Sequence, residues 1–306
     1  MSTTIRIHEF GASDVLRTED RPTPEPNFGE VRIRVGAASV NPVDFKTRAG
    51  SYPRVGADDL PVTMGHDVAG LIDAVGEGVE SFTRGARVYA MVDGGYAQHV
   101  VVSSGDVAAV PEGLSDAEAA AIPLAALTAW QGLIDHGGLE AGQRVLIHGG
   151  AGGVGHFAIQ IAKARGAEVL TTASAGDASF LRELGADTVI DYKDQRFEDE
   201  AGEIDLVLDL IGGETQERSW AVLKSGGALV STLQAPSEEK AREKDARVAV
   251  FLVEPDGTQL EEIGRLVTRG QLRPVVAETF PLERAAEAQD RLEAGHVRGK
   301  IVLTVA

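Results

Sequence analysis

The chain has 306 residues, a formal net charge of −18 and no cysteine. That length supports a sizeable core and favours two domains over one. The acidity argues against a nucleic-acid partner, which needs clustered Lys and Arg, and is read as solubility. The absent cysteines exclude disulfides, a thiol nucleophile and thiolate zinc sites.

No apolar run is long enough to cross a bilayer, because the most apolar stretch, AEAAAIPLAALTAW, opens with acids and is broken by Pro123. The N-terminus reads as a strand over residues 4–7 rather than a signal segment, so a cytoplasmic protein is expected, without membrane or nucleic-acid partners. Residues 1 to about 120 are β-rich: VRIRV (31–35), VAGLIDAV (68–75), ARVYAM (86–91) and AQHVVV (97–102) are separated by Gly, Pro, Asn and Asp turn signals. From Leu114 the chain turns alanine-rich and helical, with Ser115 as N-cap, Asp116 and Glu118 in the first turn, and Pro123 as a break.

The stretch RVLIHGGAGGVG (144–155) organises the second half of the chain. Val145, Leu146 and Ile147 form a buried strand. Gly150, Gly152 and Gly155 fall at G-x-G-x-x-G spacing, and Val154, Phe157, Ala158, Ile161 and Ala162 make one apolar helix face. Strand, glycine turn and helix occur in the order of a dinucleotide-binding unit. Glycine lets the backbone approach a pyrophosphate, and free amides at the helix start favour its charge. Residues 150–155, namely Gly150, Ala151, Gly152, Gly153, Val154 and Gly155, are therefore expected to cradle the cofactor. Strands and helices then alternate through EVLTTA (168–173), DTVI (187–190), IDLVLDLI (204–211), GALVST (227–232) and VAVFLV (248–253), which implies a parallel sheet covered on both faces. The strand VAVFLV is expected at the sheet edge. The tail, from PVVAETFPL (274–282) through a helix to KIVLTV (300–305), looks like a return to the first domain.

The segments NPVDFKTRAGSY (41–52), GHDVAG (65–70), VGEGVESFTRGARVYA (75–90), GGYAQHVVV (94–102), IPLAALTAWQGL (122–133) and HGGAGGVG (148–155) resemble, in this order, those of medium-chain dehydrogenases/reductases. More narrowly the chain resembles the zinc-independent quinone and enone oxidoreductase branch, over essentially its whole length. The resemblance implies an α/β protein. A GroES-like β-rich catalytic domain (1–122, completed by 261–306) accompanies a doubly wound Rossmann domain (123–260) that binds NADPH, with substrate in the cleft between them. It places Thr128 near the nicotinamide and the backbone amides of Phe251, Leu252 and Val253 at its carboxamide; core packing is the alternative for each. Zinc-dependent relatives use Cys, His and Cys; here the first position is Asn41, the structural lobe is missing, and only His66 matches a ligand. A carboxylate site of His66, Asp67 and Asp44 is the minor alternative to a hydrogen-bonded His66 beneath the pocket, so no zinc is expected.

In a Rossmann unit an acid ending the second strand binds the ribose 2′-hydroxyl of NAD and repels a 2′-phosphate. Here the strand ends at Ser174, and the resemblance adds Tyr192 beside it, so NADPH is expected over NADH. Asp177 is read as a helix cap, the alternative being a carboxylate that weakens this preference. Without a metal, the hydride acceptor must be a quinone or an α,β-unsaturated carbonyl, whose oxygen takes the charge and needs a donor. Lys46 is the first candidate for that donor, Tyr52 a phenol able to protonate, and Asn41 an amide able to orient substrate. Asp44 is read as structural, holding Lys46 or its loop. An enoyl-thioester reductase and an NADPH-binding sensor without efficient turnover are the competing functions. The apolar edge strand is expected to pair with its copy in a homodimer.

Overall fold

The computed structural model describes residues 1–306, which divide into two compact units. Residues 1–125, 255–268 and 274–306 form the first, and residues 126–254 with 269–273 the second. The first unit opens with β1 (Ser2–Ile7), β2 (Arg17–Arg21), β3 (Glu30–Val40), α1 (Pro42–Arg48), β4 (Val62–Thr63), β5 (Asp67–Val75), β6 (Arg87–Met91), β7 (His99–Ser103) and β8 (Val107–Ala109). Strand β1 pairs antiparallel with β2 and β4 in a small sheet. In β3, Val31, Ile33 and Val35 alternate inward against outward Arg32 and Arg34, and join Val68, Ile72, Val88 and Val100 in one core. Past Gly36 the strand is buried on every residue, and it leads straight into α1. β3 therefore carries the start of the 41–52 segment from the floor of the core.

Helix α2 (Asp116–Ala120) begins as expected: the Ser115 hydroxyl accepts the Glu118 N–H at 3.2 Å, and the Glu118 carboxylate accepts the Ser115 N–H at 2.9 Å. Ala121 and Ile122 separate it from α3 (Pro123–Trp130), which Pro123 opens. The helix then widens into a π-helical turn, Gln131–His136, which no local residue pattern announced.

The second unit is built on β9 (Arg144–His148), α4 (Gly155–Ala164), β10 (Glu168–Ala173), α5 (Ala178–Glu183), β11 (Thr188–Asp191), α6 (Phe197–Glu200), β12 (Ile204–Asp209), α7 (Gly213–Ser219), β13 (Leu223–Ser231), α8 (Glu238–Glu243) and β14 (Arg247–Val250). All six strands are parallel, in the order β11-β10-β9-β12-β13-β14. This is the doubly wound arrangement, whose chain reverses direction across the sheet between β9 and β12. Strand β14 is at the edge, as expected, but it ends at Val250 rather than Val253. Phe251 turns inward against His136, with ring centroids 4.4 Å apart, and Pro255 disfavours continued pairing.

The tail returns to the first unit. Helix α9 (Gly257–Thr268) packs there because Gly257 lies against the Gly105 backbone and the Tyr89 hydroxyl donates to the Leu260 carbonyl at 2.7 Å. The division therefore falls at 254/255, not at the expected 260/261, and likewise at 125/126 rather than 122/123. Strand β15 (Val276–Pro281), helix α10 (Ala285–Glu293) and β16 (Lys300–Thr304) complete the unit. Strand β16 adds antiparallel to β3, and Arg48 of α1 donates to Gln289 at 2.9 Å and Glu293 at 2.8 Å on α10. No helix is long and apolar enough to cross a membrane.

The glycine turn between β9 and α4 divides its work differently from the simple motif. The positive φ of +80° belongs to Gly149, not Gly150. A methyl on Gly150 would lie 2.1 Å from the Thr171 hydroxyl, and one on Gly155 would lie 2.3 Å from the Gly149 carbonyl. A methyl on Gly152 would meet only the Gly149 carbonyl, at 3.5 Å. Gly155→Ala should therefore lower the thermal midpoint by several degrees, whereas Gly152→Ala should unfold close to the parent, as calorimetric scans of the two variants would show. Equal loss in both would mean that helix–strand approach is not the constraint at Gly155.

Candidate active site

In the second unit the C-terminal ends of the parallel strands lie on one edge, where ligands of such sheets bind. The Gly150 N–H donates to the Thr172 carbonyl at 3.2 Å, and the Tyr192 N–H donates to the Ala173 carbonyl at 3.2 Å. These bonds gather the glycine turn, Ser174 and Tyr192 along β9, β10 and β11. The amides of Gly153, Val154 and Gly155 have no backbone acceptor, and α4 runs from them for ten residues. Open amides at a helix start, with Gly152 leaving space above them, fit a pyrophosphate. Underneath, buried His148 bridges the Thr172 and Ser219 hydroxyls at 3.1 and 3.0 Å. Burial pulls its pKa down to about 4, so it is a neutral strut and not a charge beside the turn.

Asp177 departs from the expected role. It stands at the N-cap of α5, but its carboxylate makes no capping bond and accepts a hydrogen bond from the Ser174 hydroxyl. The serine is the nearer partner because a short 3-10 turn, Ala175–Asp177, folds the acid back over it. Tyr192 is well exposed, with the Lys193 ammonium 6.0 Å from its ring centre.

Further along the edge, residues that drew no attention in the sequence hold the loops. Buried Asp209 accepts the Ile211 and Gly212 amides at 3.0 and 2.8 Å, the Gln216 side chain at 3.0 Å and the Ser231 hydroxyl at 2.9 Å. Gln216 also donates to the Gln234 carbonyl at 3.0 Å, and the Gln234 side chain returns a bond to Gln216 at 3.2 Å. The loops after β12 and β13 are thereby joined, and they expose Ile211 and Leu233. An acid that closes an apolar strand just before two glycines was the available signal for Asp209. Thr128 is buried on α3. The Phe251 N–H already donates to the Ser231 carbonyl at 3.3 Å, so of the three expected amides only those of Leu252 and Val253 lack a backbone acceptor.

In the first unit, the segment 41–52 is organised by buried charge. The Asp44 carboxylate accepts the Asn41 N–H at 2.7 Å and the Tyr96 hydroxyl at 2.9 Å; it holds the loop and not Lys46. The other Asp44 oxygen is buried without a hydrogen bond and faces His66 Nε2 at 3.9 Å. Burial raises the Asp44 pKa. For His66 burial acts downward, but the hydrogen bond to Asp93 and the charges of Asp44, Asp93 and Asp67 outweigh it and leave the pKa raised. Tyr52 meets His66 edge-on, with centroids 6.3 Å apart. Lys46 is half-buried on α1 and its ammonium pairs with no carboxylate.

Asn41 is not open to a substrate. It is 1% exposed, its amide donates to Asp67 at 2.7 Å, and its carbonyl accepts from the buried Lys300 ammonium. Asp67 also accepts the Ser39 hydroxyl at 2.5 Å and the Leu124 N–H at 2.6 Å, and lies 3.6 Å from Lys300. A zinc ion does not fit this set. The carboxylate oxygens of Asp67 are engaged, an ammonium already sits among them, and no three His, Asp or Glu side chains converge as ligands.

The match to "Alcohol dehydrogenase GroES-like domain" spans residues 27–112, and the match to "Zinc-binding dehydrogenase" spans residues 184–303. The human mitochondrial NAD(P)H oxidoreductase RTN4IP1 is 34% identical, over 98% of this chain and 88% of its own. Mouse quinone oxidoreductase is 33% identical, over 98% and 96%. The structure of the quinone oxidoreductase from Coxiella burnetii superposes with a TM-score of 0.92 at 37% identity, covering 100% of this chain and 99% of that one. With the parallel sheet, the glycine turn and the β-rich unit in place, the chain belongs to the medium-chain dehydrogenase/reductase superfamily, in its quinone oxidoreductase branch, and is an NAD(P)H oxidoreductase.

Proposed function

We propose that this enzyme reduces quinones or α,β-unsaturated carbonyls, with NADPH as donor and without a catalytic metal. The observation that carries the reading is the state of Asn41, at the position of a zinc thiolate: its amide is committed to Asp67 and Lys300 and is shut away from solvent. Without a Lewis acid, the favoured acceptors are those whose oxygen takes charge through conjugation. Bound at the glycine turn, the dinucleotide supplies the hydride. Lys46 is the donor proposed for the developing oxyanion, since no carboxylate neutralises its ammonium, and Tyr52 beside His66 is the proposed proton source. Asn41 drops from direct substrate contact to a support for the turn that starts α1. Exhaustive chelation should leave turnover unchanged. Lys46→Met should lower kcat and kcat/KM for an enone about a hundredfold, the loss expected for one oxyanion donor, with NADPH affinity little altered. Weaker NADPH binding with normal saturated turnover would instead assign Lys46 to the cofactor ribose.

The preference for NADPH rests on Ser174, with Tyr192 beside it. Asp177 narrows the margin, because it engages the serine hydroxyl and sets a negative charge next to a 2′-phosphate. Titration calorimetry should show NADPH bound more tightly than NADH, the order reversed by Ser174→Asp and the margin widened by Asp177→Asn. An unmodified protein that prefers NADH would overturn this assignment.

The assembly proposed is a homodimer paired through β14, in the cytoplasm, where cell fractionation would find it. The open edge of β14 and exposed Val250 support the dimer. Val250→Lys should convert the dimer to a monomer in light scattering at micromolar concentration; a parent that is already monomeric would dispose of it.

A further inference from the structure

The chain leaves the sheet at Val250, and the next four residues have almost no ladder to hold them. Phe251 keeps a single 3.3 Å bond to Ser231, and Leu252 and Val253 have no backbone acceptor. At the far end of this strap one side chain takes over. Gln131 Nε2 donates to the Glu254 carbonyl at 2.8 Å, and Gln131 Oε1 accepts the Glu254 N–H at 3.1 Å. Both halves of a side-chain amide are thus used on one peptide residue, 123 positions away, in the manner of a strand partner. Gln131 is 6% exposed, so these bonds face little competition from water.

The near end of the strap is held by the same turn of the same element. His136 lies against the Phe251 ring at 4.4 Å, and a methyl on Gly132 would lie 3.3 Å from Phe251 Cζ, so the ring rests on a glycine platform. The Arg247 guanidinium donates to the Gly137 carbonyl at 2.9 Å and fastens the start of β14 to the end of the turn. An i→i+5 helical turn brings residues five apart towards one face, whereas an α-helical turn would carry Gln131 and His136 apart. The π turn is therefore what lets a single segment grip both ends of the strap. Thr128 sits one turn earlier on the same helix.

We infer that Gln131 is the positioning residue for the nicotinamide end of the cofactor: by pinning Glu254, it holds in place the two free amides of Leu252 and Val253, which would donate to the carboxamide oxygen. The inference rests on the proposed reading in so far as residues 251–253 meet the nicotinamide. It adds that their geometry is set from the π turn and not from the sheet. A pre-positioned pair of donors binds more tightly than a mobile one, because ordering is not charged against binding.

The test uses the full chain and four probes in titration calorimetry: NADPH, NADH, and the fragments 2′-phospho-ADP-ribose and ADP-ribose, which lack the nicotinamide. Gln131→Leu should weaken both dinucleotides about tenfold, the scale of one net hydrogen bond, and leave both fragments within twofold. Gln131→Glu keeps the acceptor for the Glu254 N–H but sets a carboxylate against the Glu254 carbonyl. It should weaken the dinucleotides at neutral pH and recover them as the pH falls and the new side chain becomes a donor, a dependence absent from the parent. Fragment and dinucleotide affinities that fall by the same factor would overturn the inference in favour of a merely structural role, and so would unchanged affinities. Failure of the parent to reduce any quinone or enone would count against the proposed reaction and leave this selective loss intact.

Discussion

The second unit depends on how closely α4 can approach the end of β9. At Gly155 there is no room for even one carbon beyond the α-carbon, since a Cβ there would lie 2.3 Å from the Gly149 carbonyl. That contact sets the start of the helix directly over the turn. It is why the amides of residues 153–155 project beyond the strand ends with no acceptor in the protein. Everything else along the edge is arranged around that fixed point: the end of β10 is tied to Gly150 and the start of the next loop to β10.

The loops after β12, β13 and β14 solve a common problem by a common means. Each must present backbone amides or apolar side chains at the sheet edge, where no further ladder supports it. Each is held from behind by a buried polar side chain: Asp209 for the first, Gln216, bonded to Gln234, for the second and Gln131 for the third. Such side chains carry high stakes, because an unmet partner in a dry site costs about 1–3 kcal/mol.

In the first unit the organising feature is a buried cluster of opposite charges. Asp67, Asp44 and Lys300 lie at or below 2% exposure, and burial lowers the Lys300 pKa even as Asp67 and Asp44 act to raise it. Four segments meet in it: the end of β3, the turn into α1, the GHD turn and the start of β16. The last of these explains why the chain returns after the second unit. Without β16 the cluster would lose the Lys300 ammonium that faces Asp67 and holds Asn41.

How much of this architecture was legible in the sequence depends on the range of the interactions. Local physics determined the order of the strands and helices, the capping of α2, the break at Pro123 and the place of the glycine turn between β9 and α4, because each is decided by residues within a few positions of one another. The parallel sheet and its edge strand were legible for a related reason: alternating short strands and helices leave few ways to connect. The candidate site was legible in its placement: the glycine turn, Ser174 and Tyr192 lie along the ends of β9, β10 and β11, as the order of strands implied. Asn41, seen as a free amide, proved to be locked by Lys300, 259 positions away, and Asp177 turned to Ser174 because a 3-10 turn bent it back. Gln131 carried no signal at all, since a glutamine in a helix is ordinary until the fold sets Glu254 opposite it. Pairings across such distances are chosen by packing, and only the tertiary structure could decide them.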